Sequence, residues 1–167
     1  MKTLVIHPED STTDYLIPLY LNSYWSVITE KTQNPILLDT IIEHDRIILI
    51  GKGNIRGLFA MGNLFIDAGK SYVLRNKILF CIWPGSIDFL KSRGLKGFGL
   101  DSFIFEHHEA LNIGINTSQE EIVKSNEIFI SAIKESLDKK EFIKSVKSLY
   151  KGKSELFTFN RKCLFNI

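Results

Sequence analysis

The run Arg46–Ile50 constrains this chain more than any other feature. Ile47-Ile48-Leu49-Ile50 is continuously aliphatic and stops at Gly51-Lys52-Gly53. A half-wet strand of an antiparallel sheet shows every second residue polar, whereas a strand apolar on both faces must be covered on both. That is the condition of a central strand in a parallel sheet flanked by helices. An interior of this kind needs enough apolar chain to fill it. With 167 residues, 44% of them hydrophobic and 24% charged, residues 1–167 are read as one globular domain with a single sizeable core.

The remainder alternates in the same sense. Short β-rich runs at residues 3–7, 25–29, 77–83 and 102–105 are separated by segments of helical period. Asp10-Ser11-Thr12-Thr13-Asp14 is rich in capping residues ahead of a helix over 15–21, where Pro18 weakens the helix or moves its start later. Ile36, Leu37, Thr40 and Ile41 share a face of a helix over 35–43. The glycine-rich residues 51–59 accommodate a small hairpin, and Pro84-Gly85-Ser86 leads into a short helix over 87–92. Ser118 and Glu121 make a capping box before Ile122, Phe129, Ile130, Ile133 and Leu137. Asp138 precedes Phe142, Val146, Leu149 and Tyr150, so a helix pair over 118–150 is expected to pack on the sheet. Strands alternating with helices predict a three-layer α/β/α sandwich with a mainly parallel sheet and right-handed crossovers.

Charge and cysteine usage exclude several classes. From Asp138 onward eight basic residues stand against three acidic ones, so this part carries +5 within a chain of net +2 and leaves −3 on the rest. Lys140, Lys144 and Lys147 are spaced around apolar positions without interleaved aromatics, the pattern of a solvated helix face rather than of a nucleic-acid footprint. The apolar run in Met1-Lys2-Thr3-Leu4-Val5-Ile6-His7 is too short for a secretory signal, and no stretch approaches the roughly 18 apolar residues of a membrane span. The expectation is a cytoplasmic protein without membrane contact. Cys81 and Cys163, in apolar surroundings and without metal-type spacing, suit reduced, buried thiols.

In a parallel α/β sheet, ligands and reactive groups gather outside the carboxyl ends of the strands. That rim collects residues 7–10, Thr29, residues 52–56, 84–86 and 106–108, with His7, Lys52, Asn54, Arg56, Ser86, Glu106 and His107 as the candidate contacts. The turn Gly51-Lys52-Gly53-Asn54 offers backbone N–H groups and an ammonium to an anion, although glycines also serve simply to make such turns. Ala68-Gly69-Lys70-Ser71 ends like a Walker loop. Its first glycine should stand at Leu64, however, and Tyr72-Val73-Leu74 reads as strand rather than as a phosphate-capping helix. In Glu106-His107-His108-Glu109 the adjacent imidazoles diverge and no second ligand pair stands at metal spacing, so neither metal nor cofactor is expected. His7 closes the first strand, as a rim acid/base or an ordinary polar terminus. Ser86 follows a strand but lacks a Gly-x-Ser-x-Gly elbow, and Cys81 lies within an apolar run.

The order of elements resembles a known family. A β-run, helix, β-run and helix lead to Glu43-His44-Asp45-Arg46-Ile47-Ile48-Leu49-Ile50, which ends at a glycine-flanked position, and a later strand ends at Trp83 before a small-residue turn. This is similar to the caspase-like (clan CD) peptidase domains, including their small bacterial members, over roughly residues 3–115. The resemblance implies a caspase-haemoglobinase-type sandwich whose third strand ends in Gly-His-Gly or Ser-His-Gly, the histidine being general base, and whose fourth ends in the nucleophilic cysteine. Here those positions hold Lys52 and Pro84. An ammonium with a pKa of about 10.4 is a poor base at neutral pH, and proline offers no nucleophile. Cys81 would lie about 10 Å deeper along its strand.

These residues support a caspase-like or flavodoxin-like fold with no catalytic residue. The functional expectation is a pseudopeptidase that binds a peptide, a small anionic ligand or a partner protein at the rim through Lys52, Asn54, Arg56, Ser86, His7, Glu106 and His107. Two other readings stay open. One is an enzyme of another α/β class, flavodoxin-like or nucleotide-processing, using His7, Lys52, Ser86 and Glu106 or His107. The other is an interaction module working through the basic C-terminal helices.

Overall fold

The computed structural model describes residues 1–30, 34–60 and 63–167. In chain order the elements are β1 (Thr3–Ile6), a 3-10 helix (Ser11–Leu19), β2 (Ser26–Ile28), α1 (Asn34–Ile42), β3 (Arg46–Ile50), β4 (Gly53–Asn54), β5 (Gly57–Ala60) and β6 (Asn63–Ile66). A 3-10 turn (Ser71–Leu74), β7 (Ile78–Ile82), α2 (Ser86–Arg93), β8 (Gly97–Leu100), α3 (His107–Asn112), α4 (Gln119–Ser136), α5 (Phe142–Leu149), α6 (Glu155–Lys162) and β9 (Leu164–Asn166) follow. Six strands form the main sheet in the order β2-β1-β3-β7-β8-β9, parallel except for β9, which runs antiparallel to β8. Strands β4, β5 and β6 make a separate antiparallel sheet.

The continuous apolar runs divide their side chains between two cores, as the alternation of a pleated strand requires. Val5, Ile48, Ile50, Phe80 and Ile82 face one core with Leu16 and Leu19 of the long 3-10 helix, Phe129 and Ile133 of α4, Val146 of α5 and Phe157 of α6. Leu4, Ile6, Ile47, Leu49, Leu79 and Cys81 face the other with Leu37 and Ile41 of α1, Phe89 and Leu90 of α2, and Leu58 and Ile66 of the small sheet. The result is the three-layer α/β/α sandwich. Each fully buried large side chain in these cores contributes about 1.5–3 kcal/mol relative to exposure.

Local chemistry explains where the elements begin and bend. Asp10 caps the long 3-10 helix by accepting from Thr12 N–H at 3.0 Å. Pro18 has no N–H for an α-type bond, and the segment is wound as 3-10 from Ser11 instead of starting later. Tyr72-Val73-Leu74, read as strand, lie instead in a single 3-10 turn, Ser71–Leu74.

The fifth parallel strand is Gly97–Leu100, not residues 102–105. Gly97 sits at φ 157°, and a Cβ there would lie 2.6 Å from the Leu79 carbonyl, so glycine is what lets β8 pair with β7. Residues 103–105 are buried, yet side chains rather than a neighbouring strand satisfy their backbone. Asn160 accepts from Ile104 N–H at 2.8 Å and donates to Ile104 O at 3.0 Å, and Asn126 donates to Phe105 O at 2.9 Å. These carboxamides take the place of a ladder partner. Among the described residues, no helix is long and apolar enough to cross a membrane.

Candidate functional site

The parallel register sets Ile50 of β3 beside Ile82 of β7, so residues 51–53 and 83–85 leave the sheet as neighbours. Gly51 N–H continues the ladder with a 3.4 Å bond to Ile82 O; then Lys52 O accepts from Phe59 N–H at 2.8 Å and diverts the chain into the small sheet. Gly51 makes this switch at φ 136°, in the region that favours glycine. A Cβ on Gly53 would lie 2.6 Å from the Trp83 indole nitrogen. Both glycines beside Lys52 therefore have geometric reasons independent of any phosphate.

Lys52 and Pro84 border one cleft of about 380 Å³, closed by Thr13, Tyr15, Phe105 and the pair Glu106 and Glu109. The Lys52 ammonium stands 3.4 Å from an Asp10 carboxylate oxygen. The Thr12 hydroxyl, and to a lesser degree Lys52, hold the Asp10 carboxyl below the usual carboxylate range. Burial pushes the Tyr15 phenol up, and the Glu109 and Glu106 charges push it further in the same direction. Carboxylates thus outnumber the single ammonium around this opening.

Of the residues the sequence offered as ligand contacts, Lys52 and Glu106 meet in the cleft. The others lie outside its lining. Ser86 is fully buried; its hydroxyl donates to Cys81 O at 2.7 Å and accepts from Leu100 N–H at 2.8 Å, tying β7 to β8. Asn54 accepts from Arg56 N–H at 2.8 Å, closing the exposed turn between β4 and β5. His107 Nε2 hydrogen-bonds Thr117 O at 3.0 Å, which holds α3 against the segment leading into α4. His7 is 3% exposed, with Nδ1 2.9 Å from the Tyr20 hydroxyl and Nε2 2.9 Å from the Thr13 hydroxyl. Burial holds this imidazole below its ordinary pKa, against the opposing charges of Asp14 and Asp10.

Of the two hydroxyls on the His7 ring, that of Thr13 belongs to a residue lining the cleft, and its polarity is wrong for a nucleophile. Thr13 donates its own proton to Asp10 O at 2.9 Å and is 4% exposed, so it accepts the Nε2 proton instead of yielding one to the ring. Cys81 is completely buried, and desolvation drives its thiol up. Cys163, also buried, is pushed up to about 11, chiefly by desolvation and also by the Asp101 charge. Among the described residues, no group of three or more His, Cys, Asp or Glu side chains could hold a metal ion.

Sequence reasoning placed Tyr15 at a helix start, Phe105 at a strand end and Glu109 in the Glu106-His107-His108-Glu109 cluster, but named none of them as a ligand contact. Residues 10–14 read as a helix cap and Tyr15 as the start of a helix over 15–21, and of these only Asp10 was counted with the rim although all of them follow β1 closely. Glu109 carried no such signal, because its carboxylate matters through Phe105 N–H and Glu106 N–H, to which it bonds at 2.8 and 3.0 Å. No protein-family model, curated protein or solved structure matches this chain.

Proposed function

We propose that this is a caspase-like domain without peptidase chemistry, which holds a peptide segment of a partner protein in the cleft at the carboxyl ends of β3 and β7. One observation carries the reading. The two positions where the resemblance implies an imidazole and a thiolate border a single open cleft, and they are a lysine paired with Asp10 and a proline. On this reading the two strand ends that would aim a base and a nucleophile at a peptide bond remain neighbours, while Lys52 and Pro84 supply neither group.

The balance of charge selects among the expected ligands. With Glu106 and Glu109 in the wall and Lys52 already facing Asp10, a small anion gains little, whereas an extended peptide can set its own N–H groups against those carboxylates. The aromatic rings of Tyr15, Phe59 and Phe105 offer apolar contact beside them.

Selection of a random peptide library on the full chain tests this. Enriched peptides are expected to bind uncut and to lose about tenfold or more in affinity with Phe59→Glu, through the desolvated apolar contact and the added charge. Hydrolysis of the bound peptides, or enrichment indifferent to both Phe59→Glu and Lys52→Glu, would overturn the reading.

A further inference from the structure

The crossover from β2 through α1 to β3 brings Ser26, which opens β2, against His44, which follows α1, with the serine hydroxyl 2.9 Å from the imidazole Nε2. We propose that Ser26 and His44 form a nucleophilic dyad that takes an acyl group from small activated esters onto the serine oxygen. The pair stands at the amino ends of the strands, the opposite end of the sheet from the peptide cleft, and the proposal does not rest on that cleft.

Polarity decides what this contact can do. His44 Nδ1 lies 2.6 Å from Thr40 O, and a carbonyl only accepts, so Nδ1 carries the proton of the neutral ring. Nε2 is then the lone-pair nitrogen, and the Ser26 hydroxyl donates to it. This is the order of a nucleophile, its base and the group that orients the base, the reverse of the Thr13–His7 contact, where the hydroxyl accepts. Thr40 O belongs to the last turn of α1, where carbonyls lack intrahelical partners and the helix dipole is negative. It therefore holds the ring in this tautomer and favours the imidazolium that forms when the serine proton arrives, the two tasks a buried carboxylate performs in a triad.

Access and the oxyanion follow from the position of β2. His44 is 8% exposed whereas Ser26 is exposed, so the base is sheltered behind a nucleophile that a dissolved ester can reach. Strand β2 is the outermost of its sheet. His7 N–H donates to Ile28 O, and the alternation of a parallel ladder then turns the backbone of Ser26 and Ile28 toward β1 and the Val27 N–H toward the open edge, next to the nucleophile. Acyl-transfer enzymes commonly aim two such donors at the oxyanion, and a missing one costs about 10²–10³ in rate. The dyad is thus limited to esters with a good leaving group. Ser26 Oγ bonds to the carbonyl carbon while its proton passes to His44 Nε2. The bond from that carbon to the leaving oxygen breaks, the leaving group departs with the electron pair, and His44 returns the proton to it or to water. The acyl group stays as a serine ester, whose alkoxide leaves too poorly for rapid hydrolysis.

The test treats the full chain with p-nitrophenyl acetate, follows nitrophenolate release, and locates the acetyl groups by peptide mass mapping. A fast phase that places one acetyl group on Ser26 is expected ahead of slower acylation of lysines. Ser11 and Ser148 are internal controls, because both are exposed and, among the described residues, neither is met by any of the four imidazoles. Ser26 should be labelled about 100-fold or more faster than either, the range of a positioned general base. His44→Gln should remove that advantage while keeping the Ser26 hydroxyl. Ser26→Ala, which spares the bond from His44 to the end of α1, should abolish the fast phase. If His44→Gln fails to fold, the comparison with Ser11 and Ser148 in the unaltered chain decides. No acetyl group on Ser26, labelling there no faster than at Ser11 and Ser148, or a fast phase that survives His44→Gln in a folded chain would overturn the proposal.

Discussion

At the residue scale, His7 decides how the rim behaves with pH. Its ring joins the end of β1 to the long 3-10 helix through Thr13 and Tyr20, and burial holds its pKa below the ordinary value. A base whose folded pKa is depressed is protonated more readily in the unfolded chain, so its contribution is whole above the ordinary value of about 6.5 and is lost as pH falls below it. Urea unfolding midpoints should therefore drop between about pH 7.5 and about pH 5.5, and His7→Gln should flatten that slope while lowering stability at the higher pH. An unchanged slope in the variant would mean that other groups carry the dependence. Asp10, whose carboxyl is held down by Thr12 and Lys52, adds its own loss only at lower pH. The sequence marked His7 as a rim residue with two readings. Only the two hydroxyls it meets, from residues 13 and 20, chose the structural one.

At the scale of elements, segment 103–105 shows how a composition that reads as strand becomes something else. Ser102, Phe103, Ile104 and Phe105 have the apolar content of a strand, but β9 from the chain's far end occupies the sheet position beside β8. Phe103 and Phe105 instead stack near Phe129, with ring centroids 4.5 and 5.7 Å away. Asn160 then meets both backbone groups of Ile104. Replacing it by leucine strands a buried N–H and a buried C=O, each costing about 1–3 kcal/mol, so Asn160→Leu should lower unfolding free energy by at least about 2 kcal/mol. Denaturant titration measures this, and a loss below half of that would mean the segment finds other partners. Strands β1, β3 and β7, by contrast, fell within a residue of their expected limits, because the periodicity that defines them is local.

At the scale of the whole molecule, the last seventeen residues close the sheet and one of its cores. Leu164 and Phe157 enter the core of Phe80 and Phe98, and β9 covers the edge of β8 through Leu100, Gly99 and Phe98. A chain ending at Tyr150 loses α6, β9 and the Asn160 bonds together. It should aggregate or unfold without a cooperative transition, and hydrogen exchange should find the β8 amides unprotected. The single change Leu164→Asp, which buries a charge without shortening the chain, is the milder test and should shift the midpoint in the same direction. An unaltered midpoint in both would show that the five parallel strands suffice.

Taken by itself, the sequence determined the class of fold. An aliphatic run without alternation admits a covered parallel strand and little else, and helical periods between such runs dictate helices on both faces. It also determined that Lys52 and Pro84 stand just beyond two strand ends, since that follows from counting residues. What only the tertiary structure decided is everything that depends on residues distant in the chain: that these two ends are adjacent, and that Ser86, Asn54 and His107 are occupied elsewhere. The physical reason is range. Hydrophobic period acts over a few residues along the chain, whereas a hydrogen-bond partner or a cavity wall is set by which surfaces the two cores bring into contact.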